Sequence, residues 1–181
     1  NMGIGIGLGC AEFPFSGAAA YWRWIDMCEA GGVDSIWQTD RIVGHQPFLE
    51  SMTTMAALAG RTRRMRFGMN VVSLAFRDPV LVAKQCATID MLSDGRLLPA
   101  FGIGSPLAPE WQALGIDTKT RGRKTDECLA IIRRLWREEA VEPPIHIGRL
   151  GCTGFGAMGA PLSFEKGPLK SPDSPRPRPR M

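Results

Sequence analysis

Short β-branched or apolar runs recur in this chain at residues 4–8, 33–37, 65–72 and 97–101, separated by about thirty residues, the length of one βα unit. Between them lie helical patterns with readable ends. The first covers residues 18–30 and stops at Gly31-Gly32, and the second covers 50–60 and ends at a glycine followed by basic residues. The third opens at Asp78-Pro79, an N-cap acceptor followed by a proline whose missing N–H costs nothing at the first helical position. It closes at Ser93-Asp94-Gly95, where glycine tolerates a left-handed cap. The fourth carries Leu129, Ile132 and Trp136 on one stripe, Ile131 and Leu135 beside it, and Arg133, Arg134 and Arg137 outside. Strict β-α alternation, with a possible fifth strand at 145–147, implies parallel strands joined by crossovers. An open doubly wound sheet and a (β/α) barrel both satisfy it, and both hold ligands at the carboxyl ends of the strands.

The 181 residues are 44% hydrophobic and 22% charged, which suits one globular domain. A chain this long buries roughly 70% of its unfolded surface, so its core needs no disulfide or metal. Five scattered cysteines, with no C-x-x-C pair and only His45 and His146 beside them, give no metal-ligand spacing and fit a reduced, cytoplasmic setting. The opening GIGIGLG lacks a basic flank and is too short for a signal or membrane helix. The net charge of +4 gathers near the end, in Lys166, Lys170, Arg176, Arg178 and Arg180 against Glu165 and Asp173. That is a solvated basic tail, whereas nucleic-acid binding needs a basic face on the folded body.

A dinucleotide fold requires G-x-G-x-x-G after its first strand. GIGIGLGC fails that register, and so does the Gly102-Ile-Gly104 exit, which has Leu107 where the third glycine belongs. One literal match, Gly154 to Gly159, runs into Pro161 and finds its acidic partner only in Asp173, within a proline-rich stretch.

The strand ends together carry a more specific signal. "VDSIWQTDRI", "RMRFGMNVVSLAFRDPVLVAKQCATIDMLSDGRLLPAFGIG" and "PEWQALGID…RGRKTDECLAIIRRLW" resemble the amino-terminal half of the bacterial luciferase-like flavin or deazaflavin oxidoreductases. The resemblance covers roughly residues 2–140 and is most specific over 77–104. It implies an α/β fold, a partial (β/α) TIM-like barrel of four to five units with parallel strands, and FMN or the deazaflavin coenzyme F420 across the strand ends. The cofactor ring supplies hydride transfer or oxygen insertion on a small organic substrate, and the protein supplies position and electrostatics.

Carried over residue by residue, the resemblance places Asp40 and Arg41 where the family commonly has Asp-His. Arginine stays protonated, so it implies the holding of an anion in place of proton shuttling; a mutual ion pair of Asp40 with Arg41 is the plain structural alternative. His45 is the remaining acid-base candidate. Asn70-Val71 matches the place of a non-prolyl cis peptide against the ring, or else Asn70 simply ends its strand. Gly102, Ile103, Gly104 and Ser105 form the fourth strand exit, where missing side chains admit a planar ring. Glu110 is either a ligand edge or a solvated loop acid.

A complete barrel of this kind needs about 250 residues. The expected division is therefore a partial barrel over 1–148 and an irregular, disordered tail over 149–181. Truncation, or a change of reading frame near residue 150, would produce that pattern. A homodimer through the second and third helices and a flavin reductase or other cofactor-reducing partner are what the resemblance implies; those helices carry Met52, Met55, Leu58, Leu81, Ile89 and Met91, enough apolar surface for either core or interface. A non-catalytic half-barrel that dimerises and an open-sheet nucleotide-binding module remain as alternatives.

Overall fold

The computed structural model describes residues 4–137. The expected strand at 145–147, the glycine match at 154–159 and the tail at 149–181 lie outside the described residues.

Four strands, β1 (Gly7–Cys10), β2 (Ser35–Gln38), β3 (Arg66–Met69) and β5 (Leu97–Leu98), lie side by side in chain order and all parallel. Two short continuations, β4 (Val72–Ser73) and β6 (Phe101–Gly102), pair in parallel beyond them. Sequential order with no reversal removes the open doubly wound alternative, whose ligand crevice requires a switch point in strand order. What remains is a barrel-type α/β unit.

The register sorts the two faces of the sheet. Leu8, Ile36, Phe67 and Leu97 align across the four strands. The last three are almost fully buried against the helices α1 (Ala18–Ala30), α2 (Ser51–Arg61), α3 (Pro79–Leu92) and α5 (Arg121–Trp136). Each such buried side chain contributes roughly 1.5–3 kcal/mol by leaving water. Gly9, Trp37, Gly68 and Leu98 align on the opposite face. There the Trp37 indole spreads over its neighbours: a Cβ on Gly7 would stand 2.9 Å from Trp37 Nε1, and one on Gly68 2.7 Å from its Cζ3.

The strands differ from their sequence-based bounds for local reasons. β1 begins at Gly7, because the Ile6 amide is taken by the Asp34 carboxylate at 2.6 Å. The third strand is interrupted by a cis Asn70–Val71 peptide, and the fourth at Pro99, which has no N–H for the ladder. Pairing resumes as the Val72 amide donates to the Ala100 carbonyl.

The helix ends follow their chemistry. Asp78 caps α3 through the Leu81 amide at 2.8 Å, with Pro79 at the first position. Asp94 and Gly95, at φ 54° and 76°, turn the chain from α3 into β5. The buried stripe of α5 is Thr125, Cys128, Ile132, Leu135 and Trp136, so Leu135 replaces Leu129, which is only half-buried. Arg133, Arg134 and Arg137 are exposed as expected.

Two charged side chains organise the turn between α2 and β3. Arg96 donates to the carbonyls of Ala59, Thr62 and Met65 at 3.1, 2.9 and 3.0 Å, to the Thr62 hydroxyl, and to the Ser93 carbonyl at 2.8 Å. The Ala59, Thr62 and Met65 carbonyls lie at the end of α2 and just beyond it, where a helix leaves carbonyls unpaired, and Ser93 is the C-cap of α3. The guanidinium also lies 5.3 Å from the Phe67 ring centroid. From α1, the Glu29 carboxylate accepts the amides of Arg63, Arg64 and Met65 at 3.0, 2.6 and 3.0 Å.

Arg96→Lys keeps the charge but loses the planar fork, and the expected loss is about 2 kcal/mol; urea unfolding of the two proteins measures it. Burial pushes the Glu29 carboxyl up, but the Arg64, Met65 and Arg63 amides and the Arg64 charge outweigh it and hold it below the ordinary range. A group lowered in the folded state contributes stability above its unfolded pKa and loses it as pH falls through the folded one. Stability should therefore fall on acidification below about pH 4.5, and less steeply in Glu29→Gln; equal slopes from pH 6 to 3 would contradict this.

Candidate active site at the strand ends

The loops leaving β2, β3/β4 and β6 meet on the carboxyl-end face. Asp40 lies immediately beyond β2, and its side chain is 1% exposed. Both of its oxygens are taken by Arg77, at 2.9 and 2.7 Å, and Oδ2 also accepts the Ser73 amide at 3.1 Å. The same Arg77 reaches Glu50 Oε1 at 2.7 Å, and Glu50 caps α2 through the amides of Met52 and Thr53. Burial pushes the Glu50 carboxyl up, but hydrogen bonds from Thr53, Arg77 and Met52 prevail and hold it below its ordinary value. One arginine thus fastens the loop after β2 to the start of α2 and to β4.

The expected Asp40–Arg41 pair does not form. Successive residues at the strand exit diverge: Asp40 turns to Arg77, while Arg41 Nη1 stands 3.6 Å from Glu110 Oε2. Glu110 opens the short helix α4 (Glu110–Ala113), which sequence reasoning left as loop. Its carboxylate is 2% exposed, so the solvated-acid alternative fails. Oε1 accepts the Ile42 amide at 3.3 Å, while Oε2 has no hydrogen-bond partner. The Trp111 indole fixes α4 by donating to the Ser105 carbonyl at 2.7 Å and by an edge contact to Phe76 at 4.4 Å between centroids.

The glycine exit has packing reasons of its own. A Cβ on Gly102 would stand 2.5 Å from Val71 Cγ2, so the missing side chain makes room for Val71. Gly104 has φ 76°, and a Cβ there would come within 3.1 Å of Ser73 Oγ and 3.2 Å of Trp111 Cζ2. The pairing of β4 with β6 sets the Asn70–Val71 segment, whose peptide is cis, beside the β6 exit, where Val71 is 40% and Ile103 49% exposed. Asn70 and Ser105 are exposed as well. His45 is exposed on the loop between β2 and α2 and joins neither the Asp40–Arg77 nor the Arg41–Glu110 pair. Burial pushes the thiols of Cys10, Cys28, Cys86 (to about 12) and Cys128 up, so none is poised as a thiolate nucleophile.

A singly wound parallel α/β unit with its open apolar and charged groups gathered at the strand ends is the amino-terminal half of a TIM-type architecture. The chain belongs to the luciferase-like monooxygenase family, whose pattern matches residues 15–149. It is 34% identical over 134 residues to limonene 1,2-monooxygenase of Rhodococcus erythropolis, covering 74% of this chain and 29% of that one. It is 32% identical over 126 residues to the F420-dependent glucose-6-phosphate dehydrogenase of Amycolatopsis mediterranei, covering 62% and 36%. Among solved structures, the oxygenating constituent of 3,6-diketocamphane monooxygenase from Pseudomonas putida, in complex with FMN, superposes with a TM-score of 0.67 at 20% identity. That superposition covers 78% of this chain and 42% of the other. The chain thus spans less than half the length of these relatives.

Removing Arg77 would strand the buried Asp40 carboxylate, a mechanism that costs about 3–5 kcal/mol. Arg77→Met should show that loss in urea unfolding, and Asp40→Asn added to it should recover part; a double variant no better than the single one would contradict the assignment.

Proposed function

We propose that this chain carries the cofactor-facing half of an oxidoreductase that uses FMN or the deazaflavin coenzyme F420 on a small organic substrate. The observation that carries the reading is the meeting of three strand exits: exposed Val71 and Ile103 beside Gly102 and Gly104, with Arg41 and buried Glu110 at one side. This arrangement fits a flat, largely apolar ring with polar groups along one edge. Asn70, Val71, Gly102, Ile103, Gly104 and Ser105 would line the ring. When bound, that ring supplies hydride transfer or oxygen insertion. Asp40 acts by position: locked by Arg77 and the Ser73 amide, it fixes the backbone that presents Arg41. His45 is proposed only as a proton carrier at the rim, since its side chain is free to reach solvent.

The fuller assembly belongs to the same proposal: a cytoplasmic homodimer supplied by a reductase or another cofactor-reducing partner, with 1–148 as the barrel portion and 149–181 as an appended tail. Among the described residues, no helix is long and apolar enough to cross a membrane. The dimer surface must be narrower than the sequence suggests, because Met52, Met55, Leu58 and Ile89 are spent in the core. Leu81 (56% exposed), Met91 and Leu92 (66%) on α3 are the apolar groups left for a partner. That exposed face also favours a second reading, a half-barrel that dimerises without catalysis.

Titration of the purified chain with FMN and with F420, followed by cofactor fluorescence, separates the two. The oxidoreductase reading expects saturable binding of one cofactor, weakened at least tenfold by Gly104→Val, where the left-handed backbone and the Ser73 contact exclude a branched side chain. Binding of neither at millimolar concentration would leave the scaffold.

A further inference from the structure

Arg77 shows how this molecule uses an arginine between two carboxylates. Its Nη2 stands 2.7 Å from both Asp40 Oδ1 and Glu50 Oε1. Arg41 has only half of such a set. Its single carboxylate, Glu110, is 3.6 Å away, beyond hydrogen-bond reach, and the guanidinium makes no hydrogen bond to any described residue. Its side chain is 34% exposed, while the buried Glu110 Oε2 waits without a donor. The loops leaving the strands, residues 11–17, 39–50, 70–78 and 99–109, contain only two Lys or Arg side chains, Arg41 and Arg77, and Arg77 is already held by the carboxylates of Asp40 and Glu50. The nearby rim is apolar: Ile42 is 41% exposed, Val71 40% and Ile103 49%.

We infer that Arg41 is a specificity-determining residue that takes the carboxylate of an otherwise apolar substrate, completing a carboxylate–guanidinium–carboxylate set with Glu110. The ligand anion takes donors that no group in the site uses, so no hydrogen bond is broken when it enters. Glu110 is the counter-charge that keeps an unoccupied Arg41 at the strand end, and the 5.8 Å approach of the guanidinium to the Phe48 ring steadies it from the side. A guanidinium fork matches a carboxylate bidentately, which an alcohol or amide cannot reproduce. The inference rests on the oxidoreductase reading for the word substrate, but not for the anion site itself.

The test compares 4-phenylbutyrate with its amide by calorimetric titration of the full chain, at low and high salt, with and without whichever cofactor binds. The expected result is an acid that binds at least tenfold more tightly than the amide, a preference that shrinks with salt, disappears in Arg41→Gln and survives in Arg41→Lys. Equal affinities, a preference untouched by Arg41→Gln, or no binding of either probe at millimolar concentration would overturn it. If Arg41→Gln fails to fold, judged by circular dichroism, the Arg41→Lys protein and the salt series decide: a preference insensitive to salt overturns the inference. Competition between the acid and the cofactor would assign the anion to the cofactor and overturn the substrate assignment, whereas simultaneous binding supports it. An Arg41-dependent preference for the acid in a chain that binds neither cofactor would sink the oxidoreductase reading and leave the anion site standing.

Discussion

The carboxyl-end face of this molecule depends on one guanidinium shared between two carboxylates. Arg77 leaves β4 through a single 3₁₀ turn and meets Asp40 from the end of β2 and Glu50 from the cap of α2. Asp40 is buried, and a buried carboxylate is tolerable only with its charge and lone pairs answered. Arg77 and the Ser73 amide answer them. Because the three groups belong to three different segments, satisfying one charge fixes the relative positions of two strand exits and one helix start. Arg41 and Ile42 inherit their placement from it, since they follow directly on Asp40.

The second constraint is space. Parallel strands about 4.8 Å apart leave little room for large side chains on adjacent positions of a concave face. Trp37 therefore lies across Gly7 and Gly68, and Val71 occupies the room that Gly102 leaves. The glycines of the Gly-Ile-Gly exit are explained first by their protein neighbours: Gly102 by Val71, Gly104 by its positive φ and by Ser73 and Trp111. Val71 and Ile103 are the apolar side chains left exposed at this exit.

What was legible in the sequence was local. Asp78-Pro79 and Asp94-Gly95 announce the ends of α3 because capping chemistry acts over a few residues, and the thirty-residue rhythm gives parallel alternation. The pairings of the site were not legible. Arg77 lies 37 residues from Asp40, and Glu110 lies 68 from Ile42, whose amide it accepts. Composition offered Asp40 the adjacent Arg41 as partner, and only the twist of the chain at the strand exit sends the two apart. Glu110 read as an ordinary loop acid because α4 is a single turn without a periodic stripe. The apolar positions of α2 could serve core or interface equally in sequence, and the sheet in front of them decides for core. A signal for Arg96 did exist: an arginine directly after a left-handed turn and directly before a buried strand residue, Leu97, is placed to reach the preceding helix end.

The permanent cation at position 41 shapes the chemistry open to this corner. Histidine gains and loses a proton near neutrality; arginine keeps its own throughout the physiological range. On the proposed reading, a proton required at this corner must move through the Glu110 carboxyl, through the exposed His45, or on the ligand itself. Glu110 Oε2 is buried 3.6 Å from that permanent cation and has no hydrogen-bond partner, so a carboxylate holds the guanidinium from one side only. On the proposed reading the open side of Arg41 is where a ligand anion enters, and the carboxylate that anchors the guanidinium from behind fixes the direction of that approach.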